Sequence, residues 1–330
     1  LGFVASLLVA STSVEAGVEL PACFSDHMVL QRQQPIAIWG TDDPGTTVSV
    51  KLGDAHAEAT ADDQGSWRVD LPAQQAGGPH TLSIQGSSTV ERTDVLIGEI
   101  WLCSGQSNME WRVRQASNPE EEIAAANYPQ IRHIKLEHRP ADSPRSDVPS
   151  QGWEVCSPET VAEFTAVGYF FGRALNRELD VPIGLIGSNW GGTRIEPWTP
   201  PVGFRGTRGL EEIAARIDEL PEKNDKGEIN HQSPLALYYG MIHPLVPYTL
   251  RGAIWYQGES NNGEGMMYHD KMRALIHGWR EVWDRPGMPF YFVQLAPFRY
   301  GNRDPEDLAG IWEAQIATLK VPNTGIAGTM

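Results

Sequence analysis

The run Trp101-Leu-Cys-Ser-Gly-Gln-Ser-Asn-Met-Glu110 holds a hydroxyl where a hydroxyl can act as a nucleophile. An apolar, β-prone stretch, Val95 to Leu102, ends in the small polar turn Gly105-Gln106-Ser107-Asn108. A serine handed from a strand to a helix exposes its Oγ, and its own N–H lies near the positive end of that helix. This suits acyl transfer. The turn is not the G-x-S-x-G elbow, because Met109 occupies the second glycine position, and a plain turn has the same composition. Two later segments decide between the readings. Gly187-Ser-Asn-Trp-Gly-Gly-Thr193 follows Ile183–Ile186, and Gln257-Gly-Glu-Ser-Asn261 follows Ala253–Tyr256. Strand ends of this kind gather at one edge of a doubly wound sheet. There Ser107 Oγ can attack a carbonyl carbon. Its own N–H, an amide of Gly191 or Gly192, and the Gln257 side chain can meet the developing oxyanion, each donor typically contributing about 3 kcal/mol. Glycines suit the second segment because the backbone must come close to a substrate and adopt positive φ. Singly, Gly191-Gly192 also reads as an ordinary turn and Gln257 as a structural hydrogen bond; three such segments in register are hard to assign to coincidence.

The elements that must position these residues follow from the texture of the chain. Residues 18–94 are all-β: Ile36–Trp39, Thr47–Lys51, Trp67–Leu71 and His80–Ile84 alternate apolar and polar between turns such as Asp43-Pro-Gly45. Short, evenly punctuated strands predict a small sandwich-like accessory region without a chemical constellation of its own. Residues 95–330 instead alternate apolar runs (Val95–Leu102, Pro182–Ile186, Gly252–Tyr256, Phe290–Leu295) with helical patterns, which predicts an α/β domain around a parallel sheet. Ser157-Pro158-Glu159 reads as a helix start running to about Leu179. Tyr268, Met272, Leu275, Ile276, Trp279 and Trp283 form one core-facing helical stripe. Residues 205–232 are more charged and less regular, and read as an insertion near the mouth of the site.

Bulk numbers narrow the partners. With 26 basic and 42 acidic residues the net charge is −16, which disfavours nucleic acid and anionic membranes. A neutral ligand, or one anionic sugar held by a local arginine, fits better. Eleven tryptophans offer sugar-stacking faces, although most belong in a core. Leu1–Ala10 is apolar and leads through small residues to Val14-Glu-Ala16, so residues 1–17 read as the remnant of a signal peptide and the protein as secreted or periplasmic. Ten apolar residues are too few to span a bilayer. Cys23, Cys103 and Cys156 lack metal-ligand spacing; they allow at most one disulfide.

The chain resembles the sialate O-acetylesterase family of the SGNH-type hydrolases over roughly residues 18–330. Trp101–Glu110, Pro182–Pro200 and Gly252–Asn261 match its signature blocks. Phe24–Gln31, Trp153–Thr160 and Met241–Leu245 are further matches. The resemblance implies a three-layer α/β/α hydrolase domain preceded by the β region, removing O-acetyl groups from sugars without metal or organic cofactor. It makes Ser107 the nucleophile and gives Gly191 or Gly192 and Gln257 the oxyanion positions. It also implies an Asp-x-x-His segment supplying the base, and these 330 residues contain none. On that reading the domain is C-terminally truncated and nearly inactive. His243-Pro244 mimics part of the motif, but it belongs to the Met241–Leu245 block. The other histidines have no triad context.

Neighbouring polar residues carry two readings each. Asn108 either fixes the nucleophile turn or touches substrate. Trp190 is either a sugar platform or core. Arg194 either holds a sugar carboxylate or pairs with Glu196. Glu259 either braces the Gln257 loop or meets substrate. At the level of the whole protein the alternatives are an acetylxylan-type esterase, a non-catalytic carbohydrate-binding relative, and a lipid or thioester hydrolase, for which no apolar lid is evident. The sequence leaves the sugar and the oligomeric state open.

Overall fold

The computed structural model describes residues 17–298 and 304–329. The apolar leader-like stretch Leu1–Ala10 therefore lies outside the described residues. The β region comprises β1 (Val29–Gln31), β2 (Ile36–Thr41), β3 (Thr47–Leu52), β4 (Ala55–Thr60), β5 (Ser66–Leu71) and β6 (Gly77–Gln85). β2 and β5 form an antiparallel ribbon, while β3, β4 and β6 form an antiparallel sheet that joins the 17-residue β7 (Thr89–Gly105). β7 starts in this small sheet and ends as the middle strand of the large one, so one strand runs through both regions and across the boundary drawn at residue 94. Alternation decides the packing: Trp67, Val69 and Leu71 are buried while Ser66, Arg68 and Asp70 are exposed. Two strands of this β region escaped the sequence reading. β1 is too short, and the Ala/His/Glu composition of β4 lacks β-formers.

The large sheet has the order β13-β12-β11-β7-β10-β8-β9. Its other members are β8 (Tyr128–Leu136), β9 (Ser150–Cys156), β10 (Ile183–Asn189), β11 (Gly252–Tyr256), β12 (Phe290–Val293) and β13 (Thr324–Ala327). Every neighbouring pair is parallel except β8 with β9. Helices α1 (Ser107–Glu110), α2 (Pro119–Ala124), α3 (Ala166–Leu179), α4 (Pro201–Arg205), α5 (Glu211–Ala215), α6 (Met267–Val282) and α7 (Pro305–Thr318) fill the connections. α3 and α6 lie on opposite faces. Trp101 and Cys103 point one way from β7, where Phe171 and Gly168 of α3 meet them. Trp255, in register with Ser104, points the other way onto Trp279 of α6. The expected α6 stripe is buried throughout, with Trp283 the most accessible at 9 %. The layers therefore match the α/β/α expectation.

The helix expected from Pro158 begins instead at Ala166, with Thr165 as N-cap accepting from the Gly168 amide. Ser157 and Thr160 tie their own turn together, because Ser157 Oγ accepts the Glu159 amide and Thr160 Oγ1 accepts that of Ser157. Such local side-chain bonds compete with helix formation. All three cysteines are free and buried, so no disulfide forms among them. The 205–232 insertion is built on α5 and a short helical turn, with Phe204, Leu210, Ile217, Leu235 and Ala274 as a small separate core. No helix among the described residues is long and apolar enough to cross a membrane.

Candidate active site

Gly105, the last residue of β7, is the register partner of Asn189 on β10 and of Tyr256 on β11. The three segments singled out in the sequence therefore leave the sheet at one level of one edge. Hydrogen bonds lock that level: the Trp190 amide donates to the Gly105 carbonyl (3.1 Å) and the Gln106 amide to the Tyr256 carbonyl (3.0 Å). Gly105 has φ +135°, and a Cβ there would stand 2.2 Å from the Tyr256 carbonyl oxygen. Only glycine fits this close crossing.

Ser107 opens the helical turn α1. The Met109 and Glu110 amides both donate to the Gln106 carbonyl. Met109 is wholly buried and drives the turn into the core; the Thr165 hydroxyl donates to its carbonyl at 2.6 Å. Ser107 itself is exposed, and among the described residues its hydroxyl has no hydrogen-bond partner. The Ser107 and Asn108 amides, first in the turn, have no acceptor within it. An open depression of about 410 Å³ is lined by Ser107, Glu110, Trp111, Arg112, Arg114 and Gln115.

Gly191 packs against Ser107: a Cβ on it would touch Ser107 Cβ at 3.4 Å. Its amide donates to Glu110 Oε2 at 2.8 Å. Gly192 has φ +76° and open space around it, and its carbonyl accepts from Gln232 of the insertion at 3.0 Å. Glu110 joins the Ser107 turn to the glycine loop, and it also meets His138 Nε2 at 3.0 Å and Lys135 Nζ at 3.3 Å. Burial alone would raise its carboxyl. The His138 contact, the Lys135 charge and the Gly191 amide outweigh burial and hold the carboxyl down at about 2.

Several expected ligands turn out to be braces. Gln257 is fully buried, and its amide donates to the Thr193 carbonyl (3.2 Å) and Asn261 Oδ1 (2.7 Å). Its oxygen accepts from the Tyr268 hydroxyl at 2.8 Å. With both hydrogens so committed, the Gln257 side chain has none left for an oxyanion. Trp190 is not an open sugar platform, since His138 stacks on one face (4.3 Å, 6°) and His231 on the other (4.7 Å, 11°). Arg194 pairs with Glu196 at 2.9 Å and with Glu264, so its charge is met by two carboxylates of the chain itself. Glu196 and Glu264 also share buried Lys271, each at 2.7 Å. Asn108 donates to Glu259, and the Ser260 amide donates to Gln106 Oε1 at 3.2 Å, so the β11 loop is tied to the Ser107 turn. Burial raises the Glu259 carboxyl, and its second oxygen is buried without a partner.

All nine histidines are among the described residues, and none bonds the Ser107 hydroxyl. His243 Nδ1 is held 2.9 Å from the Arg145 carbonyl. The sequence reading passed over Glu110, Trp111, Arg112, Arg114 and His138. Position was the available signal for the first four, which follow Ser107 within eight residues. Trp111 is 47 % exposed beside the serine. Arg112 and Arg114 both bond the single carboxylate of Glu163. The depression thus carries two guanidiniums, which share Glu163, beside the carboxylate of Glu110.

Comparison with known proteins identifies the family. Residues 97–330 match the family model described as carbohydrate esterase, sialic acid-specific acetylesterase. The chain is 33 % identical over 371 residues to the sialate O-acetylesterase of Homo sapiens, covering 100 % of this chain and 68 % of that protein. It is 30 % identical over 387 residues to the Rattus norvegicus sialate O-acetylesterase, covering 100 % of this chain and 71 % of the relative. It is also similar to the crystal structure of a carbohydrate acetylesterase from Xanthomonas citri, with TM-score 0.84 and 37 % identity over 94 % of this chain and 68 % of the other.

Proposed function

The chain belongs to the sialic acid-specific acetylesterase family of carbohydrate esterases, which hydrolyse O-acetyl esters on sugars, and from that premise we propose that Ser107 is its nucleophile and an O-acetylated sialic acid its substrate. The observation that carries the nucleophile is the exposed Ser107 hydroxyl after the end of β7, without a partner among the described residues, with Gly191 so near that a Cβ on it would stand 3.4 Å from Ser107 Cβ. Oγ adds to the acetyl carbonyl carbon as its proton passes to a base. The oxyanion then lies against the leading amides of α1 and those of the glycine loop. The sugar oxygen departs with a proton, and water hydrolyses the acetyl-serine to acetate. The Gly191 amide becomes a donor to the oxyanion when substrate oxygen replaces Glu110 Oε2. Arg112 and Arg114, sharing Glu163, favour an anionic sugar at the cleft over a neutral acetylated xylan. Export fits the apolar Leu1–Ala10 run.

The base is the remaining requirement. His138 comes nearest by connection, through Glu110, but its Nε2 already lies 3.0 Å from both Glu110 and the Asn189 carbonyl. β13 is parallel to β12 and so ends at the same sheet edge as β7. A chain that continues past β13 into an Asp-x-x-His segment delivers the base to that edge. Residues 1–330 alone are accordingly expected to release almost no acetate. The same residues followed by such a segment hydrolyse p-nitrophenyl acetate, and release acetate faster from O-acetylated sialic acid than from acetylated xylan. Robust turnover by residues 1–330 that His138→Ala abolishes would place the base within them. A preference for xylan would transfer the proposal to the polysaccharide esterase reading.

A further inference from the structure

A groove of about 580 Å³ lies away from Ser107, between the β2–β5 ribbon and the segments around Ser146 and Pro247, and it shares no lining residue with the Ser107 depression. Its composition is that of a polar ligand site. Trp39, half-buried on β2, lines it, and its indole N–H has no partner among the described residues. Trp67 lines it as well, with an indole N–H that is buried and unpartnered. The hydroxyls of Thr41, Thr60, Ser66 and Ser146 also lack protein partners among the described residues.

Indole surface meets the C–H face of a pyranose, and unpartnered hydroxyls and carboxylates meet its hydroxyls. Charge then selects among glycans. Glu19, Asp62 and Asp147 line the groove against the single cation Arg68, which is already paired with Asp70 at 2.8 Å. An anionic sugar would meet this negative lining within a protein of net charge −16, whereas a neutral one is not repelled. The walls are joined, because the Ala22 amide donates to Asp147 Oδ1 at 2.9 Å, so the groove is a stable feature of the junction.

We propose that this groove is a second, non-catalytic glycan site that holds a neutral oligosaccharide by stacking on Trp39 and hydrogen bonding to the surrounding hydroxyls and carboxylates. It is independent of which ester Ser107 cleaves. A chain anchored there raises the local concentration of acetyl groups on the same glycan at the cleft.

Calorimetric titration of the 330-residue chain with xylohexaose, cellohexaose and mannohexaose, and with sialyllactose as the anionic probe, tests the proposal without requiring turnover. At least one neutral probe is expected to bind, with Kd rising at least tenfold in Trp39→Ala. Because Trp39 also packs edge-on against Phe24 (4.6 Å), Thr60→Arg provides a second variant, filling the groove from an exposed position, and is expected to weaken binding equally. Ser107→Ala keeps the affinity, which separates this site from the catalytic reading. Absence of binding by every neutral probe, binding indifferent to both groove variants, or tighter binding of sialyllactose that Thr60→Arg removes would each overturn it.

Discussion

Ser107→Ala, made in a chain that carries its base, is expected to lower kcat for acetate release by about 10⁴-fold or more, with KM nearly unchanged. That loss corresponds to more than about 5 kcal/mol of barrier. The separation of kcat from KM follows from position. The Ser107 hydroxyl makes no hydrogen bond among the described residues, so removing its Oγ strands none of them. The guanidiniums that would bind the sugar, on Arg112 and Arg114, stand several residues away with their own carboxylate. A residual rate should remain, because the amides of α1 and the glycine loop still polarise the carbonyl. Acetate release at saturating substrate and at trace substrate measures the two constants. A large rise in KM at unchanged kcat would make Ser107 a substrate contact and leave the nucleophile elsewhere.

Lys271→Met is expected to destabilise the fold by about 3 kcal/mol, read as a lower urea midpoint. Methionine keeps the length of the side chain but removes the charge that Glu196 and Glu264 share. Glu196 is 6 % exposed, so the carboxylate, left with Arg194 as its remaining cation, cannot turn to water. Asn261 donates to both carboxylates and accepts from Gln257, so the same substitution should loosen the loop tied to the Ser107 turn. The pH dependence has a definite sign. Burial would raise the Glu196 carboxyl, but Lys271 and Arg194 hold it down at about 2, against its ordinary 4.5. A depressed folded value stabilises above the unfolded one and loses that contribution as pH falls toward 2. The gap between the parent chain and Lys271→Met should therefore be widest above about pH 5 and narrow steadily below it. A gap that stays constant from pH 6 to pH 3 would mean that Glu196 is not the group Lys271 holds.

The chemistry of the site was more legible in the sequence than its bracing. Ser107 and Gly191 were found because strand ends in a parallel sheet collect at one edge, and Gly105 pairing in register with Asn189 and Tyr256 is that rule in atoms. The α6 stripe was readable because burial repeats at helical spacing. Tyr128–Leu136 was not, since Arg132, His133 and Lys135 interrupt its apolar pattern while the sheet buries two of them regardless. Gln257, Trp190 and Arg194 were open to misreading for one physical reason: a donor, a ring face or a guanidinium is free only until a partner from another loop takes it. Here Asn261, His138, His231 and Glu264 are those partners, and the separation from Arg194 to Glu264 is 70 residues. Spacing alone carries no trace of such pairings. The same holds for Glu110, whose contact with Gly191 spans 81 residues.

The most direct measurement of the central claim is the site of covalent capture by a fluorophosphonate in a chain that turns over acetyl sugars. Digestion and mass spectrometry should find one stoichiometric phosphonyl adduct, on Ser107, appearing at the same rate as activity is lost. Inactivation with the adduct on any other residue, or full turnover persisting after Ser107 is labelled, would contradict the account.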